Sequence, residues 1–196
     1  MQKRRFPALR IDPVAAVVFP GLFFTERADS VFALLFAVAA HEAGHLFAAR
    51  LLKIRVETVK FGLLGARIGV AGLLSYQSEA LLAAAGPAAS FLCAALTFPL
   101  SQIGFFGQVC ALSLILGFLN LLPVQSFDGG RLADCLLSAK IGGARAARVL
   151  RAVSFAFLTL LWCFSVYLLL RAGSGISWLG FSASLLFCFF EENQPF

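Results

Sequence analysis

Runs of about twenty apolar residues recur along this chain of 196 residues, and that feature leaves few folds open to it. A helix needs roughly 20 such residues to cross a hydrocarbon core. Six spans are expected, at about 13–25, 30–52, 80–100, 104–122, 148–170 and 175–190. Pro20 and Gly21 interrupt the first, which a membrane helix tolerates when its neighbours satisfy the freed carbonyl. Hydrophobic residues make up 60% of the chain and charged residues 13%, too little polar surface to face water all round. The fold class expected is an all-α membrane protein, a polytopic bundle of about six transmembrane helices. No stretch reads as a second, water-soluble domain, so residues 1–196 read as one membrane domain without a regulatory or PDZ-like addition. The basic start, Met1 to Arg10, precedes an apolar run as a signal peptide does. No small-residue cleavage site follows it, so it reads as a retained first helix.

The distribution of charge gives an orientation. With the N-terminus in the cytoplasm, six spans put residues 53–79, 123–147 and the C-terminus on the same side. Lys3, Arg4, Arg5, Arg10, Arg50, Lys53, Arg55, Lys60, Arg67, Arg131, Lys140, Arg145, Arg148 and Arg151 then fall on or near that face, and only Arg27 and Arg171 fall elsewhere. This is the positive-inside pattern. The net charge of +6 is therefore shared among several loops, which argues against a nucleic-acid partner.

The second span ends in Ala39-Ala40-His41-Glu42-Ala43-Gly44-His45, a HExxH pattern. Histidines four apart on a helix project from one face, one turn apart, and can share a metal ion. Glu42 lies about 100° around the helix from His41, placed to act as a general base without ligating. These are the only two histidines in the chain. By chance their spacing would be four about one time in a hundred, and ionisable groups inside an apolar span are costly unless compensated.

Catalytic zinc takes three protein ligands and keeps one position open, so a carboxylate or thiolate must complete the set. Asp128 is the best candidate, in the segment Asn120-Leu121-Leu122-Pro123-Val124-Gln125-Ser126-Phe127-Asp128-Gly129-Gly130 that closes the fourth span. Asn and Pro break the helix there, and the two glycines let the backbone turn sharply. Cys93, Cys110, Cys135, Cys163 and Cys188 are odd in number and lack CxxC spacing, which reads as packed thiols rather than disulfides or a cluster. Residues 55–73 read as short alternating strands punctuated by Gly62, Gly65, Gly69 and Gly72, and two readings stand side by side: a re-entrant hairpin whose free edge takes an extended segment as an added strand, and a flexible cytoplasmic loop.

HEAGH on one membrane helix and NLLPVQSFDGG after a later one resemble the site-2 protease family of intramembrane metalloproteases, and within it the compact sporulation-type branch. The Ala85-Gly86-Pro87 segment opening the third helix, and the six-span layout, fit as well. The resemblance covers about residues 1–190. It implies zinc held by His41, His45 and Asp128, with Glu42 as the catalytic base and Asn120 in contact with substrate. Phe61 and Gly62 on the hairpin and Pro123 at the helix break are further substrate-contact candidates. The family implies a bacterial cell-membrane protein with both termini cytoplasmic and the site near that face. Its substrate would be a membrane-anchored protein, such as a transcription-factor precursor, and an inhibitory membrane partner could regulate it. An Asn that follows Gly-Pro in the family is missing here, leaving Ser90 to share its contact. Prolines before the aspartate are replaced by Gln125 and Ser126. The rival readings are a metal transporter, which would be expected to repeat its ligand motifs between halves, and an inactive scaffold, which an intact HExxH disfavours.

Overall fold

The computed structural model describes residues 8–11, 28–62, 65–70, 74–172 and 176–192. The chain divides into two compact units, Met1–Leu121 and Leu122–Phe196. The first holds strand β1 (Ala8–Ile11), helix α1 (Ala28–Leu51), strands β2 (Val56–Gly62) and β3 (Gly65–Val70), helix α2 (Tyr76–Thr97), a 3-10 turn (Phe98–Leu100) and helix α3 (Gly104–Asn120). The second holds helices α4 (Asp128–Ile141), α5 (Gly143–Ala172) and α6 (Ile176–Glu192).

Helix α1 is rich in Ala and Leu, with Asp29 in its first turn and Arg50 in its last, each charge opposing the helix dipole at its end. It stops where Lys53 takes a φ of 55°. There the Ile54 N–H reaches the Ala49 carbonyl at 2.9 Å and the Lys53 N–H reaches Arg50 at 3.2 Å, which satisfies carbonyls that the helix leaves unpaired. Helix α2 starts at Ser75, whose hydroxyl accepts from the Ser78 N–H at 3.2 Å. Helices α1, α2 and α3 pack on one another around Ala33, Cys93 and Val109, with Ala40, Phe105 and Leu112 laid against them. The small side chains at this centre let the helix axes come close.

Three helices, Ala28–Leu51, Tyr76–Leu100 and Gly143–Arg171, are long and apolar enough to cross a membrane. Gly104–Asn120 and Leu179–Phe190 are shorter apolar helices. The outer faces are apolar too: Leu96 and Phe98 are each 68% exposed and Leu170 is 80% exposed. Side chains like these, lying along helices of spanning length, face lipid rather than water. The fold is that of a polytopic helical membrane protein with a small sheet.

Five of the six expected spans coincide with described helices, and the span at 13–25 lies outside the described residues. The segment 123–147, read as a loop, is corrected by the structure: it contains α4. That helix is amphipathic, so a search for continuous apolar length passes over it, whereas Leu132, Cys135, Leu136 and Ala139 show the helical spacing that would have found it. Gly129 and Gly130 accordingly lie in the first turn of a helix and not in a free turn. A side chain on Gly130 would strike the Val124 carbonyl and come within 2.9 Å of the Gln125 Cα, so the tight entry into α4 requires a glycine.

The hairpin at 55–73 is present as β2 and β3, antiparallel from Val56↔Val70 to Gly62↔Gly65, with an irregularity between Val56 and Thr58. One neighbour was not foreseen. β1 joins β2 in parallel, from Ala8↔Thr58 to Ile11↔Phe61, giving the order β1-β2-β3. β2 is therefore the central strand, and among the described residues β3 keeps the free edge on the hairpin side.

Candidate metal centre

His41 and His45 stand one turn apart near the C-terminal end of α1, each only 4% exposed. Their Nε2 atoms face each other at 3.3 Å, and the rings cross at 79° with centroids 5.0 Å apart. The outer nitrogens are tied to α2. His45 Nδ1 lies 2.8 Å from the Leu82 carbonyl oxygen, which can only accept, so the proton sits on Nδ1 and the neutral ring keeps its lone pair on Nε2. His41 Nδ1 lies 2.8 Å from the Ser90 hydroxyl, itself fully buried.

Leu82, Gly86 and Ser90 follow one another at intervals of four, so they line one face of α2 opposite the two imidazoles. Gly86 sits between the anchors. A Cβ there would come within 2.7 Å of His41 Nε2 and nearer still to the His45 ring. Across the seam, a Cβ on Gly44 would lie 2.5 Å from the Ala85 carbonyl oxygen and from the Ala89 Cβ. Pro87, inside α2, has no N–H for the Ala83 carbonyl and so removes one helix bond beside the turn that carries the Leu82 carbonyl.

The arrangement fits a zinc ion. Two nitrogens bound to tetrahedral zinc at roughly 2.0–2.1 Å lie about 3.3–3.4 Å apart, which matches the separation of the two Nε2 atoms. Both rings have their other nitrogen held by an oxygen, as metal-ligating histidines require for a fixed tautomer and orientation. Replacing Ser90 by alanine should therefore weaken zinc retention about 10–100-fold in a chelator competition while helical circular dichroism stays unchanged. Undiminished retention would show that the hydroxyl does not orient His41.

Glu42, the residue after the first histidine, is half-buried. Asn120 is the last residue of α3, 7% exposed, and its side-chain N–H donates to the Leu116 carbonyl at 3.0 Å within its own helix. Phe61 and Gly62 end β2 and pair with Ala66 and Gly65. Within the second unit, Pro123 is half-buried in the link before α4, and half-buried Asp128 is the first residue of that helix. The link is held by Val124, which is 1% exposed, and by the Gln125 N–H donating to the fully buried Ser154 hydroxyl of α5 at 2.9 Å. A proline at 125 would have no N–H for that bond, so the departure from the family's prolines is used by the structure. The residues that sequence reasoning did not assign to the centre are Leu82 and Gly86. Leu82 contributes a backbone carbonyl and leaves no side-chain signal, whereas Gly86 was visible only as part of an Ala-Gly-Pro string. The five cysteines are all free, as the sequence suggested.

Residues 99–161 match the family model of peptidase family M50, a segment that contains Asn120, Pro123 and Asp128 but stops short of the histidine pair. The chain is 34% identical over 143 residues to the putative zinc metalloprotease Rip3 of Mycobacterium tuberculosis, covering 63% of this chain and 36% of that protein. It is 29% identical over 128 residues to the zinc metalloprotease MJ0392 of Methanocaldococcus jannaschii, covering 61% of this chain and 38% of that one. This chain thus spans little more than a third of the length of the curated relatives it matches. Its fold is similar to a solved structure, the site-2 protease from Methanocaldococcus jannaschii. That likeness has a TM-score of 0.75 and 20% identity, over 100% of this chain and 96% of that one. The chain is thus similar over part of its length to peptidase family M50 and to zinc metalloproteases, and it shares the fold of a site-2 protease.

Proposed function

We propose that the chain is a zinc metalloprotease that hydrolyses peptide bonds of proteins lying in or against a membrane. The observation that carries the reading is the histidine pair, buried in a helix of spanning length with its Nε2 atoms at the separation zinc requires. His41 and His45 supply two ligands. Both histidines of the chain are then used, so the third ligand is a carboxylate or thiolate, and we assign it to Asp128 at the start of α4. A zinc ion in that set supplies Lewis acidity toward water and toward the scissile carbonyl.

The chain's own groups do the rest. Glu42 takes the proton of the attacking water and returns it to the departing nitrogen. With both histidines engaged, hydrogen-bond donation to the developing oxyanion falls to backbone N–H groups or to the Asn120 amide. A helical substrate hides its peptide bonds in its own hydrogen bonds, so the segment to be cut must be extended. The free edge of β3 offers a row of backbone groups for such a segment, and Phe61 and Gly62 on the neighbouring strand and Pro123 are assigned to substrate contact. We place residues 8–11 and 56–62 on one side of a bacterial cell membrane, the cytoplasmic side. Their pairing in one sheet and the clustering of Lys and Arg support this. The HEAGH and NLLPVQSFDGG pair supports the compact sporulation-type branch, with a membrane-anchored transcription-factor precursor as the class of substrate.

The test uses detergent-purified full-length chain and measures zinc content alongside cleavage of tagged membrane-anchored precursors co-expressed with it. Asp128→Ala should lose both zinc and cleavage, whereas the parent chain should hold one zinc and cleave. An Asp128→Ala protein that still carries one tightly held zinc would remove Asp128 from the ligand set. A parent chain that carries no zinc would favour a scaffold, and zinc flux into liposomes without cleavage would favour a transporter.

A further inference from the structure

A second feature of the chain lies at the joint of α4 and α5. Gly142, with φ of 81°, ends α4 by donating its N–H to the Ser138 carbonyl at 3.1 Å, and α5 begins at the next residue. The one-residue joint leaves a groove of about 430 Å³ lined by Ile141, Arg145, Arg148, Val149 and Ala152. Positions 145, 148, 149 and 152 share one face of α5, so two guanidinium groups stand above two apolar side chains along the helix. Both arginines are exposed, and neither has a hydrogen bond or ion pair through its guanidinium among the described residues.

The depth of the groove follows from the sequence of α5. Arg151 and Arg171 bracket nineteen residues, 152–170, with no charge between them. At 1.5 Å per residue these span about 28 Å, close to the roughly 30 Å thickness of a hydrocarbon core. Arg148 and Arg145 then lie about 5 Å and 9 Å beyond Arg151, at headgroup depth, with Val149 and Ala152 at the acyl boundary. No acidic residue occurs between Asp134 and Glu191, so nothing along this stretch of chain neutralises Lys140, Arg145, Arg148 and Arg151. In the first turn of α5 the Arg145 and Ala146 N–H groups donate to the Gly142 carbonyl at 3.2 and 3.0 Å, and the turn adds the positive end of the helix dipole.

We infer that this groove binds one anionic glycerophospholipid, its phosphate held by Arg145 and Arg148 and the start of its acyl chains laid on Val149 and Ala152. Guanidinium forks suit a phosphate, which can accept two parallel N–H bonds from each. A zwitterionic lipid offers the same phosphate but also a cation, which four clustered positive charges repel. A free phosphate would gain the charge but not the apolar contact.

The experiment is native mass spectrometry of the full chain released from detergent, titrated with dioleoylphosphatidylglycerol or dioleoylphosphatidylcholine. The expected result is one phosphatidylglycerol retained at concentrations where phosphatidylcholine is stripped. R145A/R148A should weaken that retention about thirtyfold, and Arg148→Gln alone about fivefold. R171A, at the other end of α5, should leave it unchanged. Equal retention of the two lipids, an R145A/R148A protein that holds phosphatidylglycerol as the parent does, or an equal loss in R171A would overturn the assignment. Displacement by inorganic phosphate as readily as by a second phosphatidylglycerol would overturn it too, in favour of a simple anion site.

Discussion

Changing Glu42 to glutamine should reduce peptide-bond cleavage by at least 10²–10⁴-fold, the range that a positioned general base contributes, while the protein keeps its full zinc content. Glutamine has nearly the shape of glutamate and can fill the same half-buried place on α1. It cannot take a proton from water, so the chemical step fails, and the two imidazoles next to it remain fixed by Leu82 and Ser90. Metal analysis and single-turnover cleavage of a reconstituted precursor, made on the same preparation, separate the two effects. A Glu42→Gln protein that cleaves at the parent rate would remove Glu42 from the reaction. One that loses zinc would make it a ligand instead of a base.

Gly86→Ala should have the second large effect, with the opposite signature. One added methyl group would stand 2.7 Å from His41 Nε2 and nearer still to the His45 ring, where both rings are already fixed by hydrogen bonds. The rings cannot swing aside without leaving Ser90 or the Leu82 carbonyl, so α1 must move away from α2. Overpacking of this kind costs typically about 1–3 kcal/mol in stability, and here it also spoils the spacing of the ligands. Zinc content should fall sharply and cleavage with it, and the thermal midpoint should drop. Alanine at Gly104, where an added Cβ meets nothing within 4 Å, is the control that should leave zinc binding as it is. Full zinc occupancy in Gly86→Ala would mean that the helices can separate without disturbing the centre.

Much of this was legible before any coordinates. Apolar length located five helices to within a few residues, because a spanning helix must be apolar along its whole length and the sequence cannot disguise that. The HEAGH spacing put both imidazoles on one face of α1, because a helix repeats every 3.6 residues whatever surrounds it. Local periodicity cannot report on partners far along the chain. Ser90 meets His41 across 49 residues and the Leu82 carbonyl meets His45 across 37, and nothing in either short stretch announces the other. β1 was missed for a related reason: four residues carry too little pattern to read as a strand, and its pairing partner begins nearly fifty residues later. Helix α4 was missed because it is only half apolar.

The two histidine bonds also bear on how such a protein could open. Leu82 and Ser90 are two turns apart on α2, and the imidazoles they hold are one turn apart on α1, with each helix crowded against the other at Gly44 and Gly86. Sliding either helix by one 5.4 Å turn would break both bonds at once and drive a methyl or a ring into backbone. A single register satisfies every constraint, so α1 and α2 behave as one rigid body with no ratchet between them. Any hinge or shear that lets a protein chain reach the centre must therefore be carried by other elements, and disulfide cross-links placed between α1 and α2 away from the histidines should leave turnover intact.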